Sequence, residues 1–264
     1  MEALEKKWGL LVWPCIITVV VILARFVIGY CGFAVVPINA LLGALVTGVV
    51  FTIAMILTGT LSDYKESERV PSDMVAAFKA LWQDSFLLEG SDNYNMNARA
   101  NPFRRSLFNL WDTISANLQG GEWNIKSISS SIIDLNNEIV ALNVAKAPIN
   151  IVIKMRQELG NIDKICHRIL QIKDTDFIPA AYAIAESAIG FMLLVLTFVK
   201  SDTMFDSVGI AVLTFLVISL LMLIKDMDDP FEAPGEGFAD VDMFQIYNLK
   251  DYLTQEVMTA EVNR

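Results

Sequence analysis

Apolar positions along this chain fall into four long blocks, two early and two late, separated by a polar middle. The blocks run roughly over Leu10–Tyr30, Pro37–Leu61, Ile178–Val199 and Val208–Ile224. A helix needs about 20 apolar residues to cross about 30 Å of hydrocarbon, and each block approaches or exceeds that length. The blocks lack the alternation of a membrane barrel, and only helices or closed barrels satisfy their backbones in lipid. The pattern predicts four transmembrane helices. Val208–Ile224 is the shortest and spans if its helix continues into the flanking loop.

Between the second and third blocks the period is helical. Met74, Ala77, Phe78, Leu81, Trp82 and Phe86 follow an opening at Pro71-Ser72-Asp73. Gly90 to Ala100 is polar and reads as a loop. Asn101-Pro102 reads as the cap and first-turn proline of a helix through Leu118, which Gly120-Gly121 ends. Ile125, Ile128, Ile132, Leu135, Ile139 and Leu142 mark another helix between Trp123 and Ala145. Pro148 interrupts it, and Ile151, Met155, Leu159, Ile162, Ile165 and Ile169 mark the next within Ile149–Ile172. A short amphipathic helix fits Val241 to Met258. The predicted fold is all-α, an integral membrane protein with two plus two membrane helices around a helical cytosolic domain. The predicted segments are 1–61, 62–177, 178–224 and an acidic tail, 225–264.

Composition supports membrane residence: 54% of the 264 residues are hydrophobic, against about 45–50% in soluble domains. The first block, preceded by Lys6 and Lys7, is too long for a signal h-region and has no clean cleavage site, so it is expected to be retained. Lys65, Arg69 and Lys225 follow the second and fourth blocks, whereas loop 30–36 carries no charge. Basic residues favour the cytoplasmic side, so a multi-pass topology with both termini cytoplasmic is expected. The net charge is −10, and −7 of it lies in the tail Lys225–Arg264, which holds 10 acidic and 3 basic residues. This argues against nucleic acid as a partner, since phosphate binding needs a basic surface.

Candidate chemistry is sparse. Cys15, Cys31 and Cys166 form no zinc pattern or disulfide framework, and the one histidine, His167, adjoins Cys166 on a helix whose neighbouring residues diverge. No phosphate loop, nucleophile elbow, zinc-protease or dinucleotide motif is present, so no enzyme activity is expected. Arg25 and Glu186 lie inside predicted spans, where ionisable residues are functional candidates. Arg25 either snorkels to the outer surface or draws anions into an outer vestibule. Glu186 faces protein or a water-filled cavity, and direct pairing between the two is not expected from their depths. Asp226, Asp228, Asp229, Glu232, Glu236, Asp240 and Asp242 supply the hard oxygens that calcium prefers, or else form a solvated turn. Asp228, Asp229, Glu236 and Asp240 are the candidate calcium ligands, although their spacing does not follow the EF-hand template.

The second block opens Val-Pro-Ile-Asn-Ala-Leu-Leu-Gly from Val36 to Gly43 and exits as Ser-Asp-Tyr-Lys-Glu-Ser-Glu-Arg-Val-Pro from Ser62 to Pro71. It resembles the second membrane helix of bestrophin-type anion channels, a proline-initiated helix with a glycine six residues later and a Tyr…Glu…Arg exit. Phe-Ile-Pro-Ala-Ala-Tyr from Phe177 to Tyr182 is similar to that family's Ile-Pro-x-x-Tyr entry. Asp-Asp-Pro-Phe-Glu from Asp228 to Glu232 resembles its acidic Pro-Phe motif. The resemblance covers most of the chain in layout and a small part in motif. It implies a homopentamer around a central pore, conducting chloride or similar small anions, with calcium gating in some members. Carried over, the neck positions are Val36, Ala40 and Ala44, and the same helix face continues through Thr47 and Phe51. Ala40 and Ala44 are smaller than the bulky residues usual at such a neck. Either the neck is wider, or the constriction lies at Val36 or Phe51. Small residues also permit close helix packing. The implied partners are lipid, further copies of the chain and small anions. The alternatives are a non-conducting membrane scaffold with a partner-binding helical domain, or a cation channel of the same architecture.

Overall fold

A computed structural model describes residues 8–89, 94–174, 179–201, 203–232 and 237–262, with side chains described as far as 254 and not at 89, 94 and 95. Lys6, Lys7, Gly90, Phe177, Ile178 and Glu236, which entered the sequence reading, lie outside these residues. Among the described residues the long elements are all α-helices. They are α1 (Val12–Tyr30), α2 (Ala40–Ser67), α3 (Val70–Glu89), α4 (Tyr94–Gly120), α5 (Ile125–Val144), α6 (Ile149–Asp174), α7 (Pro179–Thr197), α8 (Met204–Asp228) and α9 (Phe244–Val262). They form two compact units. One comprises Met1–Tyr64, Thr175–Pro230 and Gly237–Asp240; the other comprises Lys65–Asp174, Phe231–Glu236 and Val241–Arg264.

Among the described residues four helical stretches are long and apolar enough to cross a membrane, and they include α1, α2, α7 and α8. The protein is an integral membrane protein. Val49, Ile53 and Ile56 of α2 share a core with Ala185, Ile189, Met192 and Leu196 of α7 and with Ile210, Val217 and Ile224 of α8. α1 lies against α7 and α8. Trp13 near one end of α1 and Tyr30 at the other are exposed. Seventeen residues separate them in the sequence, or about 26 Å of helix. Amphipathic rings at that spacing match the two edges of a hydrocarbon layer.

α8 extends beyond the apolar block at its start. Thr203 Oγ1 accepts from the Asp206 amide at 3.3 Å, and the Thr203 amide donates to Asp206 Oδ2 at 2.9 Å. This reciprocal capping satisfies two first-turn donors and starts the helix before its hydrophobic stretch. At the other end, the Asp226 carboxylate accepts from the amides of Phe238 and Ala239. The chain that follows α8 is thereby folded back. Gly9 faces the ring of Phe238 so closely that a Cβ there would collide with it.

In the second unit α3 packs on α4, α4 on α5, α5 on α6, and α6 closes on α3. Phe78, Leu81 and Trp82 meet this four-helix core together with Phe103, Leu107, Ile114, Leu135, Ile139 and Ile162, all at most 2% exposed. Asn124 caps α5, its side chain accepting from the Lys126 and Ser127 amides. Gly121 takes φ 71°, a conformation that favours glycine, and so ends α4 where Gly120-Gly121 was expected to. The start of α4 differs from expectation. The helix begins by Tyr94, so Pro102 is interior and Asn101 is not its cap. The turns before it are held by burial: Met96, Ala100 and Phe103 all face the core. Residues 94–100 are therefore helix and not loop.

α9 covers α3 and α4. Ile246, Leu249 and Leu253 are buried, and the Trp111 indole donates to the Ile246 carbonyl at 2.8 Å. The acidic C-terminal segment thus contains a packed helix. In the same unit Phe231 is also buried, and its carbonyl accepts from Lys173 Nζ at 2.7 Å.

Candidate functional site

α2 has a buried face and an opposite exposed one. Val49, Ile53, Ile56 and Thr60 are buried, with Leu42, Val46 and Leu57 packed beside them. Ala40, Ala44, Thr47 and Phe51 are exposed. At 3.6 residues per turn this stripe sits roughly half a turn, about 180°, from the buried face. It continues through Ala54 and Thr58, both exposed. The stripe is small and weakly polar. Thr47 and Thr58 donate to the carbonyls of Gly43 and Ala54, each at 2.8 Å, so their hydroxyls are satisfied within the helix. Phe51, 65% exposed, is its bulkiest side chain, and Met55 four residues later is also exposed beside it.

Val36 lies apart from this helical stripe. It sits in the connection before α2, half-buried, and forms an isolated parallel β-bridge with Val199. The Val36 amide donates to the Phe198 carbonyl at 3.1 Å, and the Lys200 amide donates to the Val36 carbonyl at 2.8 Å. Asn39 then starts the helix, its side chain accepting from the Leu42 amide at 3.0 Å.

Arg25 turns toward the end of α7. Nη1 donates to the Leu196 carbonyl at 2.9 Å, while Nη2 donates to the Val199 carbonyl at 3.3 Å and to Ser201 Oγ. The last carbonyls of a helix lack intrahelical partners and carry its negative dipole end, so a guanidinium is stabilised there. Asp206 adds attraction across space. Sequence spacing could not find these acceptors, because two are main-chain atoms more than 170 residues away.

Glu186, in the second turn of α7, pairs with Lys225 in the last turn of α8. In the sequence alone Lys225 marks only topology. Cys166 is buried and His167 is exposed beside Asp163, so the adjacent pair diverges.

Of the candidate calcium ligands, Asp228, Asp229 and Asp240 are described and Glu236 is not. The neighbouring Asp226 spends its carboxylate on two main-chain amides. Among the described residues no group of three Asp, Glu, His or Cys is gathered as a metal cage.

A polar groove of about 620 Å³ runs between α4 and α5 in the second unit. Asp112, Asp134 and Glu138 lie along it with Asn109, Thr113 and Ser131.

No protein-family model matches the sequence, and no curated protein matches it. Solved structures do match. A mutant bacterial bestrophin homologue from Klebsiella pneumoniae superposes with a TM-score of 0.73 at 12% identity, covering 97% of this chain and 98% of that one. A second mutant of that homologue gives 0.72 at 12% identity over 94% and 97%. The chain has a bestrophin-like fold. A crystal structure described only as that of a membrane protein gives 0.74 at 12% identity over 97% and 98%. At such identities the likeness covers the path of almost the whole bestrophin-like backbone, while the side chains on that backbone are this protein's own.

Proposed function

We propose that this protein is an oligomeric ion channel that conducts chloride or similar small anions through a central pore lined by α2. The observation that carries this reading is the exposed stripe Ala40–Ala44–Thr47–Phe51 on the face opposite the buried side of α2. Leu41, Leu45, Val50 and Met55 are also exposed on α2, but only this stripe sets small and hydroxyl side chains directly opposite the buried face. Copies of α2 around a shared axis would turn those residues toward the ion path, with a Phe51 ring as an apolar constriction able to gate by dewetting. A homopentamer is the assembly that the bestrophin resemblance suggests. The pairing of Glu186 with Lys225 favours the anion reading, since an opposite charge offsets this half-exposed carboxylate. Both termini are proposed to face the cytoplasm, on the side of Lys65, Arg69 and Lys225.

A cation channel of the same architecture is the second reading. The acidic groove of Asp112, Asp134 and Glu138 favours it, because clustered carboxylates attract cations. Calcium is proposed as an effector of the segment after α8. The support is the density of carboxylates there, with Asp228, Asp229 and Asp240 as described donors. A non-conducting scaffold is the outcome if no current is found.

Planar-bilayer recording of the purified protein in asymmetric chloride tests the reading. Reversal near the chloride equilibrium potential supports the anion channel; reversal near the cation value supports the alternative. Current altered by micromolar calcium supports the effector proposal, and current indifferent to it removes that proposal.

A further inference from the structure

We infer that Arg25 is the positioning residue of the channel's outer mouth: it clamps the α7–α8 connection, which in turn fixes the start of α2. The conduction half of this inference rests on the channel reading above; the clamp itself does not.

The chain of contacts is continuous. Arg25 holds three acceptors within residues 196–201, namely the Leu196 and Val199 carbonyls and Ser201 Oγ. That same short segment carries the two main-chain bonds to Val36, from Phe198 and Lys200. Three residues after Val36, Asn39 caps α2, and the exposed stripe begins at Ala40. On the far side Ser207 Oγ donates to Ser201 Oγ at 3.2 Å, and the Thr203–Asp206 capping pair fixes the first turn of α8. One guanidinium therefore joins the ends of three helices to the entrance of the fourth.

The geometry separates this role from simple attraction of anions. A residue that collects anions would present its donors to open water. These Arg25 donors end on acceptors of the chain itself. A planar fork reaches several acceptors in fixed directions, which the point charge of a lysine does not reproduce. If attraction were the role, Lys would serve; if clamping is the role, it would not.

The test uses the full chain in nanodiscs and bilayers, as wild type, Arg25→Gln, Arg25→Lys and Ser201→Ala. Amide hydrogen exchange at Val36 and Lys200 reads the clamp without reference to current. Both Arg25 variants are expected to accelerate exchange there by about tenfold, the scale of lost hydrogen bonds to a charged group. Ser201→Ala, which removes one acceptor, gives a smaller change in the same direction. Unitary conductance is expected to change at least twofold, as an order of magnitude, in both Arg25 variants. Unchanged exchange in Arg25→Gln overturns the inference, as does wild-type exchange and conductance in Arg25→Lys. If the Arg25 variants fail to fold, unchanged exchange in Ser201→Ala overturns it. Accelerated exchange in a protein whose wild type passes no current upholds the clamp and defeats the channel reading.

Discussion

Lys225 in the last turn of α8 reaches back to Glu186 in the second turn of α7, and the two side chains form an ion pair. Each is close to half exposed in the chain. The pair sets two opposite charges side by side, the Lys225 ammonium and the Glu186 carboxylate. Lys225→Met would leave the carboxylate alone, whereas Lys225→Met with Glu186→Gln removes both charges. The single variant is expected to lose about 1 kcal/mol, and the double variant less. Thermal unfolding of the three proteins in one detergent checks this. A double variant that loses as much as the single one would contradict this expectation.

Arg104 is the most deeply embedded cation described in the second unit. Its Nε donates to Ser85 Oγ at 2.8 Å, and its guanidinium lies 4.1 Å from the Phe86 ring centroid and 5.7 Å from that of Trp82. Arg104→Lys keeps the charge and loses the planar stack. A destabilisation of about 2–3 kcal/mol is expected, combining a charged hydrogen bond with cation–π contacts. Urea unfolding followed by tryptophan fluorescence measures it, since Trp82 lies beside the site.

α9 is expected to be part of the stability of its unit. Ending the chain at Asp242 exposes what Ile246, Leu249 and Leu253 cover and strands the Trp111 indole. Burial of three such side chains is worth about 5 kcal/mol, toward the low end of the range for full burial. The truncated protein should unfold at markedly lower denaturant, and an unshifted midpoint would show that α9 contributes nothing.

Two groups in the second unit predict alkaline sensitivity. Burial pushes the Cys166 thiol from 9.0 up to about 12, with the Asp163 charge adding to the shift. Lys154 is raised above its ordinary value by its hydrogen bond to Asp84, 2.8 Å away, and by that carboxylate's charge. In both cases the folded state holds its proton more tightly than the unfolded chain. The stabilisation is complete below the unfolded value and is lost as pH rises toward the folded one. Stability should therefore fall from about pH 9 upward. Cys166→Ala should flatten the part between 9.0 and about 12, and Asp84→Asn the part that begins near the ordinary lysine value. Denaturant midpoints across alkaline pH provide the measurement.

Much of the fold was legible because hydrophobicity is local. The four apolar blocks became α1, α2, α7 and α8, and the isoleucine and leucine rows of α5 and α6 fell on buried faces. The extension of α8 to Met204 was encoded by Thr203 and Asp206, a capping pair just before the apolar block. Pro102 misled because a proline in a first turn and one inside a helix look alike in sequence. What decides between them is the burial of Met96 and Ala100, a tertiary fact. The helical face Ala40–Ala44–Thr47–Phe51 could be drawn from periodicity, but Val36 could not be assigned to it, since its geometry depends on residues 198–200. Arg25 and Glu186 were conspicuous as charges. Their partners were not, because carbonyls are invisible to composition and Lys225 is 39 residues from Glu186.

The central claim is that the exposed stripe of α2 lines an ion path. Cysteine accessibility tests it most directly, in a background with Cys15, Cys31 and Cys166 replaced. Thr47→Cys, from the exposed face of α2, and Ile53→Cys, from its buried face, are recorded in bilayers while a water-soluble charged thiol reagent is applied. The account predicts that current through Thr47→Cys changes irreversibly on exposure while current through Ile53→Cys does not. Conduction that ignores modification at Thr47, or that responds only at Ile53, would contradict it.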